Sequence, residues 1–145
     1  MYVNGLTFLT TVSKHILYRT SFYIATREMP DILPGLDQVI RIYKKASFKV
    51  AILYGDKEFK PLKDIVYDKY KSALNCSCAQ EHVPEAKNNN KVIKEHTQVA
   101  YYATPFQAIT QLMTKYFVME ATRKLNFFTL KRNLPILHST NDSSL

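Results

Sequence analysis

Tryptophan is absent from these 145 residues, glycine occurs three times and cysteine twice. With so little glycine there is no Gly-rich loop to cradle phosphates, which sets aside nucleotide binding of that kind. Cys76 and Cys78 form a C-x-C pair that can hardly staple a fold, because bridging residues two apart closes a strained ring. The histidines at 15, 82, 96 and 138 give no zinc-site spacing, and His82 reads as a loop residue. Free thiols in a reducing, intracellular compartment are the expectation. No G-x-S-x-G elbow supports a hydrolase. Long apolar runs are missing too. Ile109 to Phe128 is interrupted by Lys115, Glu120, Arg123 and Lys124, charges that argue against a membrane span. Met1 to Val12 carries no basic n-region and no small-residue cleavage site. The chain is expected to be soluble, cytoplasmic or nuclear, without a membrane partner.

What is present is ordinary globular material, 46% hydrophobic and 22% charged, in a length that suits one buried core. The formal net charge of +8 and pI ≈ 9.5 favour polyanions, nucleic acid among them.

Periodicity divides the chain. Leu6 to Ser13 alternates, with Leu6, Phe8 and Val12 on one side and Leu9 on the other, which predicts a strand. Leu17 to Ile24 repeats that pattern, and Lys14-His15 suits a tight connection between the two. Met29 to Gly35, with two prolines and a glycine, reads as a loop. Leu36, Val39, Ile40 and Tyr43 then fall on one helical stripe, with Lys44 and Lys45 near its end. Phe48 to Tyr54 has the length and apolarity of a buried central strand, stopping at Gly55-Asp56. Pro61 starts a short helix whose buried face is Leu62, Ile65, Val66 and Tyr70. Leu74 to Ala79 reads as a further strand and Gln80 to Pro84 as a loop. Glu85 to Tyr102 reads as a mostly solvent-facing helix. A last helix runs from Pro105 to about Phe127, with Phe106, Ile109, Met113, Tyr116, Phe117 and Leu125 in its stripe. The order is that of an α/β domain, a mixed sheet with helices packed on it.

Four segments in order carry a family resemblance. Leu53-Tyr54-Gly55-Asp56-Lys57-Glu58-Phe59 looks like the middle catalytic block of copia-type retrotransposon integrases. Glu81-His82-Val83-Pro84-Glu85, followed by Val92-Ile93-Lys94-Glu95, resembles their third block. Leu125-Asn126-Phe127-Phe128 looks like the end of the following helix, and Tyr2-Val3-Asn4 to Ser13 is similar to the first hairpin. The resemblance implies a ribonuclease-H-like mixed sheet flanked by helices, its first strand incomplete. It covers a core at 1–128 and leaves 129–145 as a flexible tail. It also implies DNA strand transfer as the ancestral activity, DNA as substrate and Mg²⁺ or Mn²⁺ as cofactor. The chemistry needs converging acids: two hard cations roughly 3.5–4 Å apart clamp the attacking and leaving oxygens of an in-line displacement.

By that resemblance Asp56 is the surviving metal-binding acid; read alone, it is also a turn residue after a strand. The family's first acid precedes the Tyr2-Val3-Asn4 block, so it falls before Met1. The third position holds Lys87, a cation where a cation should bind. Glu85 is the nearest substitute, but on a helix it lies about 200° from Lys87. Its other reading is an acid complementing the helix N-terminus. Lys87, Lys91 and Lys94 share one helix face, either meeting DNA phosphates or forming a solvated charged surface. The run Asn88-Asn89-Asn90 between them is poor helix material. The expectation is an integrase-like fragment without catalysis. The alternatives are a non-specific nucleic-acid-binding module or a small interaction protein that self-associates through an exposed sheet edge.

Overall fold

The computed structural model describes the backbone of residues 1–76 and 79–144, and the side chains of 1–76 and 85–127. Strands β1 (Tyr2–Val3), β2 (Leu6–Val12) and β3 (Arg19–Ile24) form an antiparallel sheet in the order β1-β2-β3. Asn4 and Gly5 join the first two with φ of 48° and 79°. An Asn-Gly pair with both residues at positive φ makes the hairpin turn whose twist matches the strands.

β2 is covered on both faces. Leu6 and Phe8 enter a core with Ile93, Val118 and Leu125, whereas Leu9 enters a second core with Ile24, Ile32, Leu36, Leu62, Val66 and Leu74. The alternation predicted for Leu6 to Ser13 therefore holds at these three residues. Full burial of a side chain the size of Phe8 stabilises by about 1.5–3 kcal/mol.

Helix α1 (Met29–Lys45) begins where a loop is expected from the prolines. Pro30 sits in the first turn, where an N–H has no helical partner to lose, so it starts the helix rather than breaking it. Pro34 is accommodated one turn on. Gly35 permits the close approach of α1 to the sheet: a Cβ there would lie 3.0 Å from Leu9 Cδ2. Leu36 and Val39 are buried as the stripe predicts, and Lys44 and Lys45 occupy the last turn.

The buried central strand expected at Phe48 to Tyr54 is corrected. β4 is only Ile52–Tyr54, paired in parallel with β5 (Ala73–Asn75) and with no other strand among the described residues. Ile52 and Tyr54 remain exposed, and only Leu53 packs on the core. The expected single mixed sheet is thus two sheets, antiparallel and parallel. β4 and β5 are three residues each and, among the described residues, pair only with one another, so no ladder links them to β1, β2 and β3. The second core joins them instead, since Leu62, Val66 and Leu74 meet Leu9 and Ile24 there. Pro61 lies inside a 3₁₀ turn (Lys57–Leu62), and α2 (Lys63–Tyr70) follows directly.

Helix α3 (Ala79–Tyr102) begins earlier than expected, so its backbone takes in the stretch read as the loop Gln80 to Pro84. The side chains there, His82 included, lie outside the described residues. α3 buries Asn89, Ile93 and Thr97. Helix α4 spans Gln111–Ser144, and the tail expected over 129–145 falls where no side chains are described. Its stripe also differs from the expected one. Thr114, Val118, Ala121, Thr122 and Leu125 are buried, Leu125 as expected, while Phe106 and Tyr116 lie exposed. Small and β-branched residues let the helix approach closely, and its hydroxyls find partners there. Ser21 Oγ and Thr122 Oγ1 are 2.7 Å apart, and Thr122 also donates to the Val118 carbonyl. Asn126 accepts from the Arg19 N–H and donates to the Arg19 carbonyl, both at 2.7 Å.

Asn126→Ala would strand both Arg19 backbone groups. A loss of about 2 kcal/mol is expected for two partly buried groups left unpaired, measured as a lower urea midpoint at unchanged slope.

Candidate functional site

Several elements converge on a cleft of about 150 Å³ that contains Asp56. The end of β4 supplies Tyr54, Gly55 and Asp56, and the 3₁₀ turn supplies Glu58 and Phe59. Met1 and residues 7–10 form the opposite wall, and α3 contributes Ala86 and Asn90. Asp56 stands just before the turn in extended backbone, its carbonyl accepting from the Phe59 N–H at 3.0 Å, its side chain making no cap. Thr10 donates its hydroxyl to Asn90 Oδ1 at 2.6 Å, which fixes α3 against β2 at the cleft wall. Two of the three asparagines thus serve docking, Asn90 by this bond and Asn89 by burial.

Arg27 and the Met1 amine share the cleft with Asp56 and Glu58. Arg27 lines the cleft and pairs with Glu58 at 3.6 Å. Both side chains are about half exposed, so this pair contributes little to stability. The Met1 amino group donates to the Phe8 carbonyl at 2.9 Å. Burial pushes its pKa down from the ordinary 8.0, and the nearby charges of Arg27 and Lys94 push it further the same way.

Glu85 does not join Asp56. It lines a second cleft with Ser13, Lys14, Arg19 and Asn89. Lys87, Lys91 and Lys94 are all exposed, and none makes an ion pair with a described residue. Ala86 and Asn90, rather than Lys87, are the α3 residues that reach the cleft of Asp56. Among the described residues no three His, Cys, Asp or Glu side chains gather to hold a metal. Cys76 is a free, half-buried thiol whose pKa is raised chiefly by burial; Cys78 lies outside the described residues. No described helix is long and apolar enough to cross a membrane. Arg27 and Asn90 carry no motif that marks them in the sequence; only packing brings them to the cleft of Asp56 and Glu58.

The lowered Met1 amine has a signed consequence. Between its folded value and 8.0 the unfolded chain binds more protons, so stability is greatest above 8.0 and falls as pH drops through the folded value. Denaturant melts across that window should show this slope, and N-terminal acetylation should remove it. No protein-family model, no curated protein and no solved structure matches the chain.

Proposed function

We propose that this chain is an integrase-core-like domain of copia type that contacts DNA without joining it. The observation that carries the reading is the convergence at one cleft of the end of β4 with Asp56, the start of β1 and helix α3. An integrase-like core brings its acids together from such elements, so the arrangement agrees with the order of the four sequence blocks. The ribonuclease-H-like topology belongs to the same proposal.

The residues do not fit a pair of Mg²⁺ or Mn²⁺ ions. Asp56 shares its cleft with Arg27 and the Met1 amine, Glu58 is engaged by Arg27, and α3 offers Ala86 and Asn90. One free carboxylate among cations cannot balance two divalent ions. No catalytic step is therefore derived through a metal. What remains is charge. Lys87, Lys91 and Lys94 present exposed ammonium groups along one face of α3, in a chain of net charge +8. Such a face suits phosphates, whose contacts position a protein on DNA without reading its sequence.

Purified protein with labelled DNA ends and Mg²⁺ or Mn²⁺ should give no joining above an Asp56→Ala control; joining above it overturns the catalytic half of the proposal. Binding to duplex DNA should weaken steeply with salt. Changing Lys87, Lys91 and Lys94 together to Glu should flatten the log–log salt slope by roughly 3, at about 0.9 per phosphate contact. Equal binding by the triple variant, or none by the parent chain at low salt, overturns the DNA half.

A further inference from the structure

The second cleft, the one lined by Glu85, shares no described residue with that of Asp56. Asn89 lies in its wall, 3% exposed, and its side-chain oxygen Oδ1 is buried with no hydrogen-bond partner among the described residues. A carbonyl oxygen that leaves water without finding a donor destabilises the fold, and such groups are rare in native proteins. Asn90 bonds Thr10 through its own oxygen, so the docking of α3 on β2 does not account for the oxygen of Asn89. That oxygen stands ready for a donor on whatever enters the cleft.

The other walls narrow what enters. Val12 and Leu17 are apolar, and Leu17 is 39% exposed. Arg19 is half-buried, and burial pushes its pKa below the ordinary value, a penalty that a bound anion would offset. Lys14 and Glu85 are exposed. We infer that this cleft takes an adenine nucleotide, its base between Val12 and Leu17 with one edge on Asn89, and its phosphate toward Lys14 and Arg19. A carboxamide matches adenine with two bonds: Oδ1 accepts from the 6-amino group, and Nδ2 donates to the neighbouring ring nitrogen. A phosphodiester alone offers Oδ1 no donor. Glu85 would repel a bare anion, whereas beside a nucleotide it can accept from a sugar hydroxyl, as acids do in dinucleotide sites. The cleft, about 160 Å³, has room for one flat base, which leaves sugar and phosphate at its open rim. Side chains here take the part that a Gly-rich loop plays elsewhere. A free nucleotide and an unpaired adenine of a strand offer this same chemistry.

Calorimetric titration of the full chain with AMP tests the first source, and a short single-stranded oligo-dA tests the second. Purine riboside 5′-monophosphate lacks only the 6-amino group and should bind roughly tenfold more weakly than AMP. Asn89→Leu keeps the branched shape and removes the polar edge. It should erase that preference and weaken AMP by at least as much. The free variant should unfold at the parent's temperature or higher, because no internal hydrogen bond is lost. Lys14→Glu, at an exposed position, should weaken AMP and leave adenosine unchanged.

Oligonucleotide binding that depends on Asn89, with no binding of AMP, assigns the cleft to a residue of a strand. Binding of neither overturns the inference. So does equal affinity for AMP and the purine riboside, or a lower unfolding temperature for Asn89→Leu, which would reveal a partner for Oδ1 within the protein. Lys87, Lys91 and Lys94 take no part in holding AMP, so this inference and the proposed function fail separately.

Discussion

Strand β2 has no solvent face, and the rest of the molecule is arranged around that fact. Leu6 and Phe8 point into one core and Leu9 into the other. Slipping the strand by one residue would exchange every side chain between the two faces, exposing the threonines to apolar surroundings on both. The Asn4-Gly5 turn and the hydrogen bonds between Met1 and Phe8 hold the register at one end. With β2 fixed, α1 has one place to settle, over Gly35 and against Leu9, and α3 and α4 have the other. The parallel pair β4–β5 then attaches through side chains from the second core rather than through a shared ladder.

How much of this the sequence discloses depends on how local the cause is. The strand alternation at Leu6, Phe8 and Leu9 and the stripe at Leu36 and Val39 are local, and both were legible. The hairpin turn also has a local cause, an Asn4-Gly5 pair suited to positive φ. Pro30 and Pro34 were misleading because proline punctuates loops and also opens helices, and only the position within the first turn separates the two. Phe48 to Tyr54 looked central because composition reports apolarity and not neighbours; β4 pairs on one side and leaves Ile52 and Tyr54 in water. For α4 the large aromatics suggest the buried face, whereas Thr114, Ala121 and Thr122 share it with Val118 and the expected Leu125.

The candidate cleft shows the same division. Asp56 is singled out in the sequence only by the resemblance of the residues around it. Its electrostatic setting is not legible there, because Arg27 and the Met1 amine reach the cleft from separate parts of the chain. A carboxylate in such company serves better to balance local positive charge than to recruit more of it from solution. Lys87, which the resemblance sets at an acid position, is not among the residues lining this cleft, and with Lys91 and Lys94 it lies exposed on α3.

The bond pair between Asn126 and Arg19 has a consequence for the sheet as a whole. A carboxamide side chain offers one acceptor and one donor at the spacing of a peptide unit, so at Arg19 it acts as a single borrowed link of a neighbouring strand. The outer margin of β3 is closed at that link by a helix from the far end of the sequence. A foreign strand seeking to extend the sheet from this side would have to evict α4 first, and with it the core that Leu125 and Val118 complete. Runaway strand-to-strand growth is thereby discouraged on that margin by one side chain.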